Sequence, residues 1–174
     1  VQVPIKSVFF ICSFDRDEPY EEVFLAFDNL KNQGFVLFVS GNYQKSKIDL
    51  SQFPWVRFLG FLPENQYYEY LQAVSVVMDL TTSEDCLVCG AYEALSFRKP
   101  LIVSRKKALS DYFGDAVVLT DNTSKEICES ILLAFENREK LSQRADNWVI
   151  QNSHYMSNRI TDLNILLQSL DHPS

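Results

Sequence analysis

Two carboxylates, Asp85 and Glu93, stand eight residues apart in the segment 80–104, LTTSEDCLVCGAYEALSFRKPLIVS. An apolar stretch at 75–80 runs into a polar loop and then a short helix, which ends at Arg98-Lys99-Pro100 before a second apolar stretch. The first amides of a helix lack intrahelical partners and sit at the positive end of the dipole, so they favour an anion. Here they belong to Leu87, Val88, Cys89 and Gly90, and Gly90 has no Cβ to hold a ligand or backbone away. Asp85 precedes these donors and would point toward whatever hangs from a phosphate. Glu93, one turn into the helix, would accept both hydrogen bonds of a ribose diol. Such a site suits a nucleotide sugar. Spacing alone leaves a plainer reading equally open, with Asp85 a helix cap and Glu93 a solvent-facing acid.

Other loops carry further candidates. Arg16 is the only cation in the loop 13–18 and would either neutralise a pyrophosphate bidentately or pair with Asp15, Asp17 or Glu18. Gly41-Asn42 either admits a ligand to the backbone or simply turns the chain. Phe61-Leu62 would floor a base pocket or cover the core, while Tyr67, Tyr68 and Tyr70 read as helix packing. The cluster Arg98, Lys99, Arg105, Lys106 and Lys107 flanks the segment as a phosphate attractant or a solvated rim.

Several classes are excluded or disfavoured. A formal net charge of −7 argues against a nucleic-acid partner, which needs clustered cations. There is no G-x-S-x-G elbow and no G-x-x-x-x-G-K-[ST] loop. Cys86 and Cys89 form a C-x-x-C, but a zinc site needs a second ligand pair, and His154 and His172 lie far along the chain. No metal or other cofactor is expected. No apolar run approaches the ~20 residues of a membrane span. Residues 1–6 lack the order of a signal peptide. Four cysteines in 174 residues suit a reducing cytoplasm.

The elements that must hold these residues alternate. Strands are expected at 7–12, 35–40, 56–59, 75–80, 101–104 and 116–119, because each is a short apolar run of the kind buried on both faces. Helices are expected at 19–33, 64–73, 90–97, 108–113 and 124–136, the last capped by Ser124, then at 138–150 and 153–170. Residues 43–54 read as irregular or partly helical. This order implies an α/β fold of three layers, α/β/α, around a doubly wound parallel sheet of about six strands. Ligands of such sheets sit beyond the carboxyl ends of the strands, which singles out the loops 13–18, 40–44, 60–64, 81–89 and 104–109.

With these pieces in order, the sequence resembles the C-terminal, donor-binding domain of retaining glycosyltransferases built from two Rossmann-like domains, the glycosyl transferases group 1 type. In that family a strand ends in a Pro-Ser turn, followed by an acid, a Gly-Phe-Gly-Leu-like loop, a second acid eight positions on and a closing Gly-Lys-Pro strand. Here Thr81-Thr82 takes the turn, Asp85 the first acid, Glu93-Ala94-Leu95 the second, and residues 98–104 the close. Residues 36–42 (VLFVSGN), 56–61 (VRFLGF) and 73–79 match earlier strands, so the likeness covers nearly the whole chain.

By resemblance, Glu93 would bind the donor ribose, Asp85 the transferred sugar and the backbone after it the diphosphate, without a metal. Residues 1–174 would form one nucleotide-sugar-binding domain with C-terminal helices at 138–170, inactive without an N-terminal acceptor-binding domain that is absent from this sequence. The partners implied are a nucleotide-diphosphate sugar, that second domain in cis or in trans, and a peripheral membrane contact through it. The setting would be bacterial polysaccharide assembly in the cytoplasm, at the inner membrane face. The stripe Ile160, Leu163, Leu167 and Leu170 would reach the other domain or pack in the core. The sequence departs from the family at Asp85 (Asp for Glu), at Cys86-Leu87-Val88-Cys89 (glycines lost), and at Ser13 and Glu18, where the family carries an Arg and a Lys. A non-catalytic nucleotide-sugar-binding module and half of a nucleotide-sugar epimerase are the alternatives.

Overall fold

The computed structural model describes residues 1–46 and 48–171. Its centre is a six-stranded parallel sheet in the order β3-β2-β1-β4-β5-β6. The strands are β1 (Ser7–Ile11), β2 (Val36–Ser40), β3 (Val56–Gly60), β4 (Val76–Asp79), β5 (Leu101–Ser104) and β6 (Val118–Thr120). β1 lies between β2 and β4, with Val8 opposite Leu37 on one side and Val76 on the other. The chain therefore winds outward in one direction from β1 and then in the other from β4, which opens a crevice beyond their carboxyl ends.

Apolar runs form these strands because both faces are covered. Side chains alternate across the sheet, so Val8 and Phe10 join one core and Phe9 the other. The first core is closed by α1 (Tyr20–Leu30) and α5 (Ser124–Glu136), through Phe24, Phe27, Ile127 and Ile131. The second is closed by α2 (Glu64–Ala73), α3 (Cys89–Ser96), α4 (Lys107–Phe113) and the start of α6 (Arg138–Asp171). Leu71, Leu95, Phe113 and Ala145 are fully or almost fully buried there. The result is the three-layer α/β/α, Rossmann-like architecture expected.

Four local expectations are sharpened or changed. Residues 138–171 form one helix rather than two, because no glycine or proline interrupts them and Asn152-Ser153 is too weak a breaker to stop the turn. Its first half packs through Leu141, Ala145 and Trp148, whereas Ile160, Leu163 and Leu167 of the stripe are each about half exposed. Leu170 and His172 lie outside the residues whose side chains are described. Thr123, not Ser124, caps α5 by accepting from the Glu126 amide. Residues 43–54 contain two single 3-10 turns, Tyr43–Ser46 and Leu50–Gln52, the second capped by Asp49.

The fourth concerns the basic cluster, which is not one patch. Arg98 and Lys99 precede β5 and Arg105, Lys106 and Lys107 follow it, so the sheet holds the two groups at opposite edges. Arg98, Arg105, Lys106 and Lys107 pair with Asp146, Asp121, Glu84 and Asp111 respectively. Lys99 donates to the carbonyls of Gln72 and Val74. No described helix is long and apolar enough to cross a membrane.

Candidate functional site

A cavity of about 720 Å³ opens at the carboxyl edge, on the β1–β2–β3 side of the crevice. It is built from the loops after β1 (Cys12, Ser13), β2 (Gly41, Asn42, Lys45) and β3 (Phe61, Leu62), with the first turns of α2 (Glu64, Tyr67, Tyr68) and Glu93 of α3. Its size suits a nucleoside-sized ligand. Phe61 stands at its rim with 89% of its surface exposed. An aromatic side chain left in water beside a cavity offers a face to stack against.

Glu93 is half-buried and held from one side. The Tyr67 hydroxyl donates to its Oε2 at 2.5 Å. Burial, reinforced by the Glu93 carboxylate, pushes the Tyr67 phenol well above its ordinary pKa, so it stays a donor. Tyr67 is itself fixed against Phe9 of the core, ring centroids 5.6 Å apart. One carboxylate oxygen of Glu93 is thus occupied, and the other has no hydrogen-bond partner among the described residues. The plainer reading of Glu93 as a solvent-facing acid fails.

The loop after β1 is shaped by an unusual residue. Phe14 is buried with a left-handed backbone, φ 62°, and packs on Tyr20. A left-handed residue between ordinary ones turns neighbouring amides toward one point, a nest that attracts an anion. Glu18 fills it. Its carboxylate accepts from the amides of Ser13 at 2.9 Å and Asp15 at 2.8 Å, and from the Ser13 hydroxyl at 3.0 Å. Burial and then Glu18 push the Cys12 thiol upward, so it stays protonated in the cleft floor.

The opening turn of α3 behaves differently from expectation. The amides of Gly90 and Ala91 face Asp79, a buried carboxyl at the end of β4. Burial first, then the Glu18 charge, lifts this group to about 8, the two amides pulling the other way and Glu93 pushing it further up. A Cβ on Gly90 would sit 2.5 Å from Ile11 and 2.7 Å from Asp79 Oδ2, so the helix packs this close only with glycine. The Leu87, Val88 and Cys89 amides meet no protein acceptor among the described residues.

The candidates therefore separate. Ser13, Gly41, Asn42, Phe61, Leu62 and Glu93 come together around the cavity. Asp85, Arg16, Leu87, Val88, Cys89 and Gly90 do not line it. Asp85 is exposed and is not the cap of α3, since Val88 holds that position without a side-chain bond. Arg16 is exposed and makes no ion pair with Asp15, Asp17 or Glu18 among the described residues; Asp15 pairs with Lys45 at 3.7 Å instead. Lys45 and Glu64 carry no signal in the sequence analysis, and Tyr67 and Tyr68, read there as helix packing, also line the cavity. The first turn of any helix that follows a strand lies at this edge, and that rule pointed to the two tyrosines. Tyr70, a turn further on, does pack on Phe9 and Phe38.

Across the crevice the loops are tied together. Thr81 and Ser83 hydroxyls donate to Asp17, Asn122 donates to the Thr81 carbonyl, and Ser104 bridges Thr81 and Asn122. This network ties the β1 loop to the β4 loop. Among the described residues no group of His, Cys, Asp and Glu could hold a metal ion.

Known structures share this arrangement of elements. The catalytic domain of cholesterol-α-glucosyltransferase from Helicobacter pylori superposes with a TM-score of 0.70 at 16% identity, over 87% of this chain and 99% of that one. The α,α-trehalose 6-phosphate synthase of Burkholderia multivorans gives 0.72 at 14% identity, over 95% of this chain and 43% of that one. HepE of Anabaena, solved in complex with UDP and glucose, gives 0.70 at 16% identity, over 90% and 48%. This chain thus spans less than half the length of the last two. At these identities the likeness is one of fold. No curated protein sequence matches the chain. The Glycosyl transferases group 1 family, however, matches residues 5–149, most of the sequence, and the chain belongs to that family of glycosyltransferases.

Proposed function

We propose that this chain is the donor-binding half of a retaining glycosyltransferase, which takes a sugar from a nucleotide-diphosphate sugar to a polysaccharide or lipid-linked acceptor. The observation that carries this reading is Glu93, held by Tyr67 at the mouth of a nucleoside-sized cavity at the switch point of the sheet. A carboxylate fixed beside an exposed aromatic is what a ribose and base require. Asp85, exposed beyond the start of α3, would reach the sugar, and the open Leu87–Cys89 amides would meet the leaving diphosphate. No metal takes part in this scheme. An acceptor-binding domain, in cis or in trans, completes the active site and carries any contact with the cytoplasmic face of a bacterial membrane.

Titration calorimetry with UDP, ADP and GDP tests the proposal. One of them binds saturably, and Glu93→Ala weakens it at least tenfold, since a hydrogen bond to a charged group contributes about 1.5–3 kcal/mol. Equal binding by wild type and Glu93→Ala would refute the donor site. A second reading, a module that keeps the fold and binds without catalysis, is favoured by the acid in the nest of the β1 loop. Transfer of labelled sugar when an acceptor domain is supplied would exclude it.

A further inference from the structure

The cleft holds its own anion. Glu18 precedes α1 and folds back so that its carboxylate is met by two backbone amides and a hydroxyl, the set of donors that would otherwise receive a phosphate. Ser13, whose amide and hydroxyl are both taken, lines the nucleoside-sized cavity directly. Charge in the cavity points the same way. Its acids are Glu64 and Glu93, and its one cation among the described residues, Lys45, is already paired with Asp15. Asp15 in turn accepts from Ser13 Oγ, so acids surround the nest. A diphosphate entering here meets an occupied nest and like charge, whereas a nucleoside meets Glu93, Tyr67 and Phe61 unhindered.

We infer that Glu18 is a specificity-determining residue that fills the phosphate cradle of the β1 loop, so that a diphosphate is left with the Leu87–Cys89 amides against the surrounding acids and adds little to nucleoside binding until Glu18 swings out. The inference rests on the donor-site reading and deepens it: the discrimination lies in the β1 loop, while recognition of the diol lies with Glu93. Glutamine at position 18 keeps the size of the side chain but removes the charge, so it holds the Ser13 and Asp15 amides more weakly, a diphosphate can displace it, and the repulsion disappears.

The test compares uridine, adenosine and guanosine with UDP, ADP and GDP by titration calorimetry on the full chain, wild type and Glu18→Gln. For the base that binds, wild type takes nucleoside and diphosphate with affinities less than tenfold apart. Glu18→Gln tightens the diphosphate tenfold or more and leaves the nucleoside unchanged. The wild-type comparison needs no substitution, so poor folding of the variant cannot hide the result. A wild-type preference of tenfold or more for the diphosphate overturns the inference. So does nucleoside binding with no gain for the diphosphate in Glu18→Gln, and either result leaves the donor-site reading standing. Absence of binding by every probe to both proteins overturns both readings together.

Discussion

Asp79→Asn raises the melting temperature at pH 8 by about 10 °C, and the gain shrinks to about 2 °C or less at pH 4. The cause is a carboxyl with almost no access to water, facing Glu18 and Glu93, with Cys12 and Tyr67 also near. In the folded protein it keeps its proton to about pH 8, against an ordinary value of 3.8. Between those limits the folded state binds more protons than the unfolded chain, so stability is full below pH 3.8 and falls as the pH rises toward 8. Each unit is worth about 1.4 kcal/mol, which puts the whole penalty on the order of 3–6 kcal/mol. Asparagine has the same shape, still offers an oxygen to the Gly90 and Ala91 amides, and carries no charge to bury. Melting curves of both proteins from pH 4 to pH 9 measure the difference. Parallel curves would mean that Asp79 is ionised in the fold at little cost, contrary to its burial.

Gly41→Ala lowers the melting temperature by about 10 °C, a loss of roughly 3–5 kcal/mol. Gly41 follows β2 with φ 91°, where the chain turns under the floor of the cavity, and its amide donates to the Gly60 carbonyl. A Cβ there would stand 1.8 Å from the Cys12 carbonyl oxygen and 2.9 Å from its carbon. No rotamer change relieves a contact between backbone atoms, so the loops after β1 and β2 must part. That movement also disturbs Ser13 and the nest around Glu18, and nucleoside binding weakens with stability. Gly34→Ala is the control. Its φ is 81°, yet nothing lies within 4 Å of the added methyl, so only the left-handed strain of about 1–2 kcal/mol remains. If the two substitutions prove equally costly, the close approach of the loops is wrong.

How much of this was legible beforehand depends on the range of the interaction involved. The strands were visible because a run such as VVM at 76–78 must be apolar on both sides when helices cover both faces. Their parallel order followed from the alternation of strand and helix. The position of Glu93 at this edge followed from its spacing to the helix start, a distance set along one helix. The gathering of Ser13, Gly41, Asn42, Phe61 and Leu62 around one cavity followed because loops after parallel strands share one edge. Each of these inferences needs only neighbours in sequence and a rule of topology.

Other features depended on which distant residues meet. Tyr67 is 26 residues from Glu93, and nothing local reveals that its hydroxyl ends on that carboxylate. Asp79 read as the end of an apolar strand; only the packing of α3 at Gly90 made it a buried acid beside the helix amides. Arg98 and Lys99 looked continuous with Arg105–Lys107 until β5 carried the two groups to opposite edges. Glu18 illustrates the division most clearly. The sequence alone showed an acid where a lysine belongs in the resembling family. That its carboxylate closes the nest was settled by Phe14, whose left-handed backbone turns the Ser13 and Asp15 amides onto it. Chain periodicity and local order thus determine fold and family, because burial on two faces constrains every strand residue at once. The tertiary structure alone decides which charges are paired and which amides are spoken for, because those depend on contacts between elements that no spacing encodes.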